Sequence, residues 1–328
     1  MNLPEVRIDP LTGRRTIIAA ERATRPGAWL SSTAPAPIDP DSDPFADGHE
    51  DQTPPELDAL RPDGGAPNSP GWQVRVVPNL YPALDAYSPE PAADSHRDLF
   101  CAVPATGAHE VVINGPQPVT SLADLGVEQV RLAMGMWRTR MAAHGDAACV
   151  QLIVNERKEG GASLPHTHAQ LYALDFVPAG VALERERFAA HATRTMGSNL
   201  LGDLVAEEVR RRERVIAIDD EAVLMAPYAS LLPFQLMLAP RRPQPRFELG
   251  GPLGADLLHE GLRRLARRLG ASPPLNLWVR TAPLGAEQFC WRIDVMPRLT
   301  HLAGLELSTG LHLNVLSPER AAAELREA

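Results

Sequence analysis

The sequence predicts an α+β protein of two similar halves, each with a largely antiparallel sheet and one principal helix. The same order of β-prone segments around one amphipathic helix occurs twice along the 328 residues, which indicates an internal repeat. In both predicted helices the apolar residues are spaced 4, 3 and 4 apart, and a glycine follows. Neither copy shows the strict strand–helix alternation of a doubly wound parallel sheet. We assign the halves to residues 1–180 and 181–328.

The first half is predicted to contain four strands and one helix. The strands are expected at 72–84, 109–114 and 150–155, and around His166–Gln170. Ser121 is expected to cap the helix, with Asp124 at the third position and Gly145 at its end. The residues predicted to face the core from this helix are Val130, Met134, Trp137 and Met141.

The second half repeats this order with different chemistry. Its strands are expected at 222–233, 234–240, 275–280 and 289–297. The residues predicted to face the core from its helix are Leu258, Leu262, Leu265 and Leu269, and Gly270 ends it. The second half carries Arg292 and Asp294 where the first has two histidines and a glutamine. We therefore expect the first half to hold the reactive group and the second half to support it.

Two segments precede the first repeat. Thr16–Ile18 is β-prone, and the arginines Arg22 and Arg25 follow it. Residues 31–71 are rich in Pro, Asp, Ser and Gly and are poor in large apolar side chains, which predicts an extended loop. Long loops of this kind are often functional.

The composition limits the class of protein. A formal net charge of −9 argues against a nucleic-acid-binding surface. The three cysteines are far apart and form no CxxC motif, which argues against a disulfide framework and a thiolate zinc site. Residues 1–20 lack an apolar signal core, and no stretch approaches the length of a membrane span. We expect a cytoplasmic protein with no membrane partner.

The segment 155–172 (NERKEGGASLPHTHAQLY) is the most informative part of the chain. On a strand, side chains alternate between faces, so His166, His168 and Gln170 are predicted to share one face. Two histidines at this spacing also occur on solvated strands or as a metal pair. The preceding loop with Gly160, Gly161 and Ser163 favours a phosphate site with a histidine nucleophile.

Taken together, these motifs resemble the histidine-triad superfamily. With RIDPLTGRRTIIAAERATRP near the start, PFADGHEDQTPPE in the loop and AGLELSTGLHLN near the end, the chain resembles the galactose-1-phosphate uridylyltransferase branch and its ADP-sugar phosphorylase relatives. The match covers most of the chain in the same order. The resemblance implies two histidine-triad-like halves, a homodimer, and transfer of a nucleoside monophosphate through a histidine intermediate.

The resemblance also suggests roles for individual residues. His168 matches the family nucleophile, Gln170 the family glutamine, and Ser163 with Gly160 and Gly161 the phosphate loop. The positions that match the nucleotide site are Asn155, Asn79, Arg22 and Arg25. Glu306 matches a segment that, in the family, reaches the sugar from the partner subunit.

The metal sites of the family are the main departure. Two cysteines that often bind zinc in the family are replaced by Asp43 and Ala46, and the position of a third ligand, a histidine, falls near Pro118, where this chain has none. His166 alone remains, and one ligand does not make a zinc site. The histidines of the second metal site, near Pro243 and Arg292, are also absent. We therefore expect no metal cofactor, and we expect His166 to be a scaffold residue rather than a ligand or a partner of His168.

The chemistry of these residues leads to a functional expectation. A neutral imidazole is a good nucleophile near neutral pH, and Gln170 can donate a hydrogen bond but cannot act as a general acid. A glutamine here favours transfer to a phosphate acceptor over hydrolysis. We expect a hexose-1-phosphate uridylyltransferase-like enzyme that uses a nucleotide sugar and a sugar 1-phosphate. The alternatives are a nucleotide-sugar phosphorylase and a non-catalytic nucleotide-binding relative.

The remaining histidines are expected to have surface or structural roles. They include His49, His109, His301 and His312.

Overall fold

The computed structural model describes residues 3–21, 30–91, 96 and 99–328. The strands are β1 (Glu5–Ile8), β2 (Arg15–Ile18), β3 (Asp58–Leu60), β4 (Val74–Pro78), β5 (Gly107–Ile113), β6 (Cys149–Glu156), β7 (His168–Leu174), β8 (Val215–Ile218), β9 (Ala222–Met225), β10 (Leu236–Pro240), β11 (Leu275–Arg280), β12 (Arg292–Pro297) and β13 (His312–Asn314). The helices are α1 (Val127–Ala143), α2 (Ala179–Thr195), α3 (Leu200–Arg211), α4 (Ala255–Leu269), α5 (Gly304–Thr309) and α6 (Pro318–Glu327). Across the described ranges, no helix combines the length and apolar character needed to cross a bilayer.

Ten of the described strands form one sheet, in the order β3-β4-β5-β7-β6-β11-β12-β10-β9-β8. Its strand pairs are antiparallel. A small second sheet has the order β1-β2-β13, in which β13 runs parallel to β2.

The predicted internal repeat is visible in the sheet order. The first half contributes β4-β5-β7-β6, the second half contributes the equivalent β9-β10-β12-β11, and the two runs meet where β6 pairs with β11. Helices α1 and α4 are in contact with each other and pack with one face of the sheet in the main core. The α+β fold of two histidine-triad-like halves is confirmed. We propose the boundary near residue 180, because α2 begins at Ala179 directly after the first run.

The first principal helix begins later than its capping signal predicted. The Ser121 hydroxyl accepts a hydrogen bond from the amide of Ala123 and caps a 3₁₀ turn over Leu122–Asp124. The chain is extended again at Leu125, and α1 begins at Val127 after Gly126. A Ser-x-x-Asp motif satisfies amides at the start of a single turn as well as of a helix, so the motif alone did not distinguish the two.

Two further helices, α2 and α3, lie outside the predicted repeat. Together with Leu11, they pack onto the face of the second half that is opposite α4, through a cluster containing Phe188, Val205 and Met237. On the corresponding face of the first half, the buried cluster around Phe45 and Trp72 contains no residue of a described helix. The equivalent sheet faces of the two halves therefore differ, since α2 and α3 cover the one in the second half.

The predicted loop over 31–71 is mostly irregular but is packed on the sheet. It contains the edge strand β3, which pairs with β4. Phe45 is buried in a cluster with Trp72, Val77, Val111 and Ile113. This cluster places residues 43–45 beside the start of β7, as the ring contacts below show.

Candidate active site

The candidate site lies on the sheet face opposite α1 and α4, across the strands β7, β6 and β11. Alternate side chains on these strands are half-buried, and the strand register puts them on one face. They are Gln170, Tyr172, Ile153, Asn155 and Asn276. Apart from Ile153, these half-buried residues carry polar groups, and the row is partly open to solvent.

His168 is the first residue of β7 and is 4% exposed. Its Nδ1–H donates to the carbonyl of His166 over 2.7 Å. The tautomer is thereby set, and the lone pair is on Nε2. No residue in the described ranges forms a hydrogen bond with that nitrogen. Burial lowers the pKa of His168 more than this hydrogen bond raises it, which favours the neutral form of the ring.

His166 lies outside the strand and faces the 31–71 segment. Its Nδ1 lies 2.6 Å from Oδ2 of Asp43, and its Nε2 lies 2.8 Å from the carbonyl of Gly115. Both neighbours are hydrogen-bond acceptors, so both ring nitrogens of His166 are engaged by the protein. Burial acts to raise the pKa of Asp43, but the hydrogen bond and charge of His166 lower it overall. Phe45 makes edge contacts with both histidine rings.

His166 is the one zinc-site residue of the family that the resemblance retains, and both of its ring nitrogens contact protein acceptors. A histidine whose two ring nitrogens both donate hydrogen bonds has no lone pair for a metal. The described ranges contain no group of three or more His, Cys, Asp or Glu side chains able to hold a metal ion. Through these contacts His166 connects the 31–71 segment to the start of β7.

The amides of the glycine loop are used largely within its own turn. The amides of Gly160, Gly161 and Ala162 donate to carbonyls of Arg157 and Lys158, so they are not free to bind phosphate. A Cβ on Gly160 would lie 2.6 Å from the carbonyl of Leu275, and Gly161 has a φ of +89°. These glycines therefore shape the turn and allow its close approach to β11.

Ser163 is exposed at the end of this loop. Its hydroxyl is available to a ligand, as predicted for a phosphate contact.

Arg157 begins the loop in strained backbone. Its φ is +64° and its ψ is 165°, a region that favours glycine. Its guanidinium donates to the Ser32 hydroxyl and to the carbonyls of Thr33 and Ser272. These contacts hold Arg157 in its strained conformation and join the loop to both halves.

Asn155 is positioned by a residue of the second half. The Nδ2 of Asn276 donates to Oδ1 of Asn155 over 2.8 Å and to the carbonyl of Gly160 over 2.6 Å. The two asparagines are directly paired across β6 and β11. The second half thus supports the first, as the unequal motifs indicated.

Gln170 is held by two side chains of the first half. Its Oε1 lies 3.0 Å from Nε2 of His109 and accepts from the hydroxyl of Tyr172 over 2.9 Å. The rings of His109 and Tyr172 stack with centroids 4.1 Å apart. His109, which the sequence suggested was surface or structural, therefore contacts the candidate catalytic glutamine.

Two other predicted ligand-binding residues, Asn79 and Glu306, differ in whether they contact the residues of this site. Asn79 lies beside His109, with its Nδ2 3.1 Å from Nε2 of that ring. Glu306 lies on α5, where it accepts a hydrogen bond from the amide of Ala303; no contact in the described ranges joins it to His168. Arg22 and Arg25 lie outside the described residues.

In the second half, a buried cluster of charged side chains fills the position equivalent to His168. Arg292 begins β12 as His168 begins β7. Its guanidinium donates to Asp294 over 2.9 Å and to Glu184 of α2 over 3.0 Å, and all three side chains are buried. This ion cluster thus occupies the position that His168 holds in the first half.

Three contributors to the site were missed by sequence reasoning. Asp43 was noted only as a replaced cysteine, His109 was read as structural, and Asn276 was part of a predicted strand. An available signal was register: once β6 and β11 are paired, Asn276 must face Asn155. Asp43 and His109 act through contacts between residues 123 and 61 positions apart, which no local pattern shows.

The fold and this site define a protein of the histidine-triad class, and known structures agree. The crystal structure of an ADP-glucose phosphorylase from Arabidopsis thaliana with bound ADP-glucose has a TM-score of 0.80 and 27% identity, covering 99% of each chain. A structure of uridylyltransferase has a TM-score of 0.74 and 25% identity, covering 99% of this chain and 98% of that one.

The family follows from sequence comparison. Residues 1–178 match the family described as galactose-1-phosphate uridyl transferase, N-terminal domain. ADP-glucose phosphorylase of Arabidopsis thaliana is 30% identical over 99% of this chain and 93% of its own length. Galactose-1-phosphate uridylyltransferase of Streptomyces lividans is 30% identical over 80% of this chain and 76% of its own. The chain belongs to the galactose-1-phosphate uridylyltransferase family, as the sequence motifs suggested.

Proposed function

We propose that the protein transfers a nucleoside monophosphate from a nucleotide sugar through a covalent intermediate on His168. Nε2 attacks the α-phosphorus, the bond from that phosphorus to the bridging oxygen breaks, and the sugar 1-phosphate leaves with the bonding electrons. A phosphate acceptor then attacks the nucleotidyl-histidine and restores the imidazole. The observation that carries this proposal is the hydrogen bond from Nδ1–H of His168 to the carbonyl of His166, which directs the lone pair to Nε2.

Gln170 and Ser163 would stabilise the charge that develops on the phosphate oxygens. An amide donor cannot protonate a leaving group, but a sugar phosphate leaves without much protonation. Loss of one well-placed donor at such a site typically costs about 2.7–4 kcal/mol of transition-state stabilisation. The site therefore suits transfer between phosphates better than hydrolysis.

The acceptor separates two candidate activities. The first is a hexose 1-phosphate, which makes the protein a uridylyltransferase-like enzyme. The second is inorganic phosphate, which makes it a nucleotide-sugar phosphorylase. The second candidate is supported by the similarity to ADP-glucose phosphorylase, which extends over 99% of this chain, against 80% for the Streptomyces uridylyltransferase.

We also propose a homodimer in which Glu306 reaches the site of the partner subunit. Within one chain, α5 makes no described contact with the His168 site, and Leu307 on this helix is 74% exposed. Light scattering coupled to size exclusion tests the dimer. A monomeric protein that is fully active would contradict it.

The central experiment measures the intact mass of the protein after incubation with UDP-glucose or with ADP-glucose. We expect a nucleotidyl adduct in the wild type and in His191→Ala, a histidine variant on α2, and none in His168→Ala. Discharge of the adduct by galactose 1-phosphate indicates the transferase, and discharge by inorganic phosphate indicates the phosphorylase. No adduct with either nucleotide sugar would overturn the proposal.

A further inference from the structure

The three carboxamide side chains of the candidate site share one property. In Gln170, Asn155 and Asn79, the amide oxygen already accepts a hydrogen bond from the protein. Among the described residues, no acceptor takes a hydrogen bond from the NH₂ group of any of them. An unrestrained carboxamide can turn over and present either its oxygen or its nitrogen. Here the hydrogen bonds to the amide oxygens leave the NH₂ group as the part of each carboxamide that is presented.

The orientation of Gln170 follows from the tautomer of His109. The backbone amide of Ala83 donates to Nδ1 of His109 over 3.1 Å, so the ring proton must be on Nε2. That N–H points at Oε1 of Gln170, which also accepts from the Tyr172 hydroxyl. Turning the amide over would place its NH₂ against two donors. Gln170 is therefore held with its NH₂ group free.

The orientation of Asn155 is set from the other half of the molecule. Asn276 uses both hydrogens of its NH₂ group, one towards Asn155 and one towards the Gly160 carbonyl. Because the Gly160 carbonyl can only accept, Asn276 cannot turn over without losing that bond. The oxygen of Asn155 therefore remains engaged, and its NH₂ group is available.

Asn79 follows the same logic locally. Its Oδ1 accepts from the amide of Tyr81 over 2.9 Å, and its NH₂ faces the protonated Nε2 of His109. Two donors face each other there, so this NH₂ group has no acceptor among the described residues.

We propose that His109, Tyr172 and Asn276 are positioning residues that fix the carboxamides of Gln170 and Asn155 as donors towards an anionic ligand. The inference rests on the proposed function and deepens it, since a site that presents only N–H groups selects phosphate oxygens over donor-rich ligands. The imposed orientation removes the cost of turning the amides during binding or reaction.

The first test replaces Asn276 with Asp, which has nearly the same shape but no hydrogens to donate. The new carboxylate repels the Gly160 carbonyl and attracts the NH₂ group of Asn155, so that this donor turns away from the ligand. We expect the single-turnover rate of His168 nucleotidylation to fall about 10- to 100-fold. The rate should fall less in Asn276→Ala, because this change adds no charge and leaves Asn155 free to rotate.

The second test is a double-mutant cycle around Gln170. His109→Phe and Tyr172→Phe each keep an aromatic ring and remove one donor to Oε1. Each alone leaves one restraint, so we expect a small effect from either and about 10- to 100-fold loss from both together. In a Gln170→Ala background the same pair should have no further effect. If His109 and Tyr172 had only a structural role, replacing both would still lower the rate in the Gln170→Ala background.

The outcomes separate this inference from the proposed function. If the wild type forms the adduct and Asn276→Asp and the double variant stay within twofold of it, the inference is wrong and the proposed function stands. If the wild type forms no adduct, the proposed function is wrong, and the same variants are compared by their Kd for AMP and UMP. Weakening of about tenfold in that assay supports the inference, and unchanged binding overturns it. Thermal melting of each variant confirms that it is folded.

Discussion

Nδ1 of His166 lies 2.6 Å from Oδ2 of Asp43, and both side chains are inaccessible to solvent. The pair joins residues 123 positions apart and holds the residue whose carbonyl orients His168. It stands at the position where the family resemblance implies a zinc site. A buried hydrogen bond thus joins the 31–71 segment to the residues that lead into β7.

Asp43→Ala should destabilise the protein strongly. It leaves a buried N–H of His166 without a partner, and breaking a buried ion pair typically costs about 3–5 kcal/mol. Asp43→Asn should cost less, about 1–2 kcal/mol, because its amide can donate to a neutral His166 ring. Urea unfolding measures both free energies.

The exposed Asp41 offers a control nearby. Asp41→Asn should change the free energy of unfolding by no more than about 0.5 kcal/mol. Equal stability of Asp43→Ala and Asp41→Asn would show that the buried pair does not hold the segment.

The enzyme should work without a bound metal. Both nitrogens of His166 are occupied by Asp43 and Gly115, so no lone pair is available there. Elemental analysis of the purified protein should find far less than one zinc per chain, and a chelator should leave the adduct rate and the melting temperature unchanged. One tightly held zinc per chain would contradict this expectation.

Glu156 should make stability depend on pH. Burial raises its pKa to about 7, despite hydrogen bonds from Ser121 and the Leu122 amide. An acid whose pKa is raised on folding stabilises the fold fully below its unfolded pKa, near 4.5. That contribution is lost as the pH rises to about 7, and the total is on the order of 3 kcal/mol.

Glu156→Gln removes this titration. The difference in unfolding free energy between the variant and the wild type should therefore shift in favour of the variant between pH 4.5 and pH 7, and stay constant above it. Denaturant unfolding at several pH values checks this. A difference that does not vary with pH would rule out titration of this carboxyl on folding.

Gly160 and Gly135 should respond in opposite ways to alanine. A Cβ on Gly160 meets the Leu275 carbonyl at 2.6 Å, whereas one on Gly135, an exposed position in α1, meets nothing within 4 Å. Gly160→Ala should push the glycine loop away from β11, lowering both stability and the adduct rate. Gly135→Ala should stabilise the helix by about 0.5–1 kcal/mol and leave the rate unchanged. Calorimetry and the mass assay measure the two effects, and a neutral Gly160→Ala would mean that the loop does not need its close approach.

Much of the architecture could be predicted from pattern alone. The strands around 109–114, 150–155 and 275–280 and the apolar stripes of α1 and α4 were confirmed because a buried face imposes a period on its own segment. The capping signal at Ser121 failed because one short turn satisfies it equally well. The helices α2 and α3 were not part of the repeat, since they cover a surface that only the folded second half creates.

The sequence by itself determined the family, the repeated α+β halves and the histidine, glutamine and serine that carry the proposed chemistry, because these depend on residue types at short spacings. Only the tertiary structure decided how those groups are held. Asp43, His109 and Asn276 come from segments far along the chain, and their effect depends on which hydrogen-bond donor faces which acceptor. Such pairings arise when the sheet closes and buried polar groups must each find a partner, which no local pattern encodes.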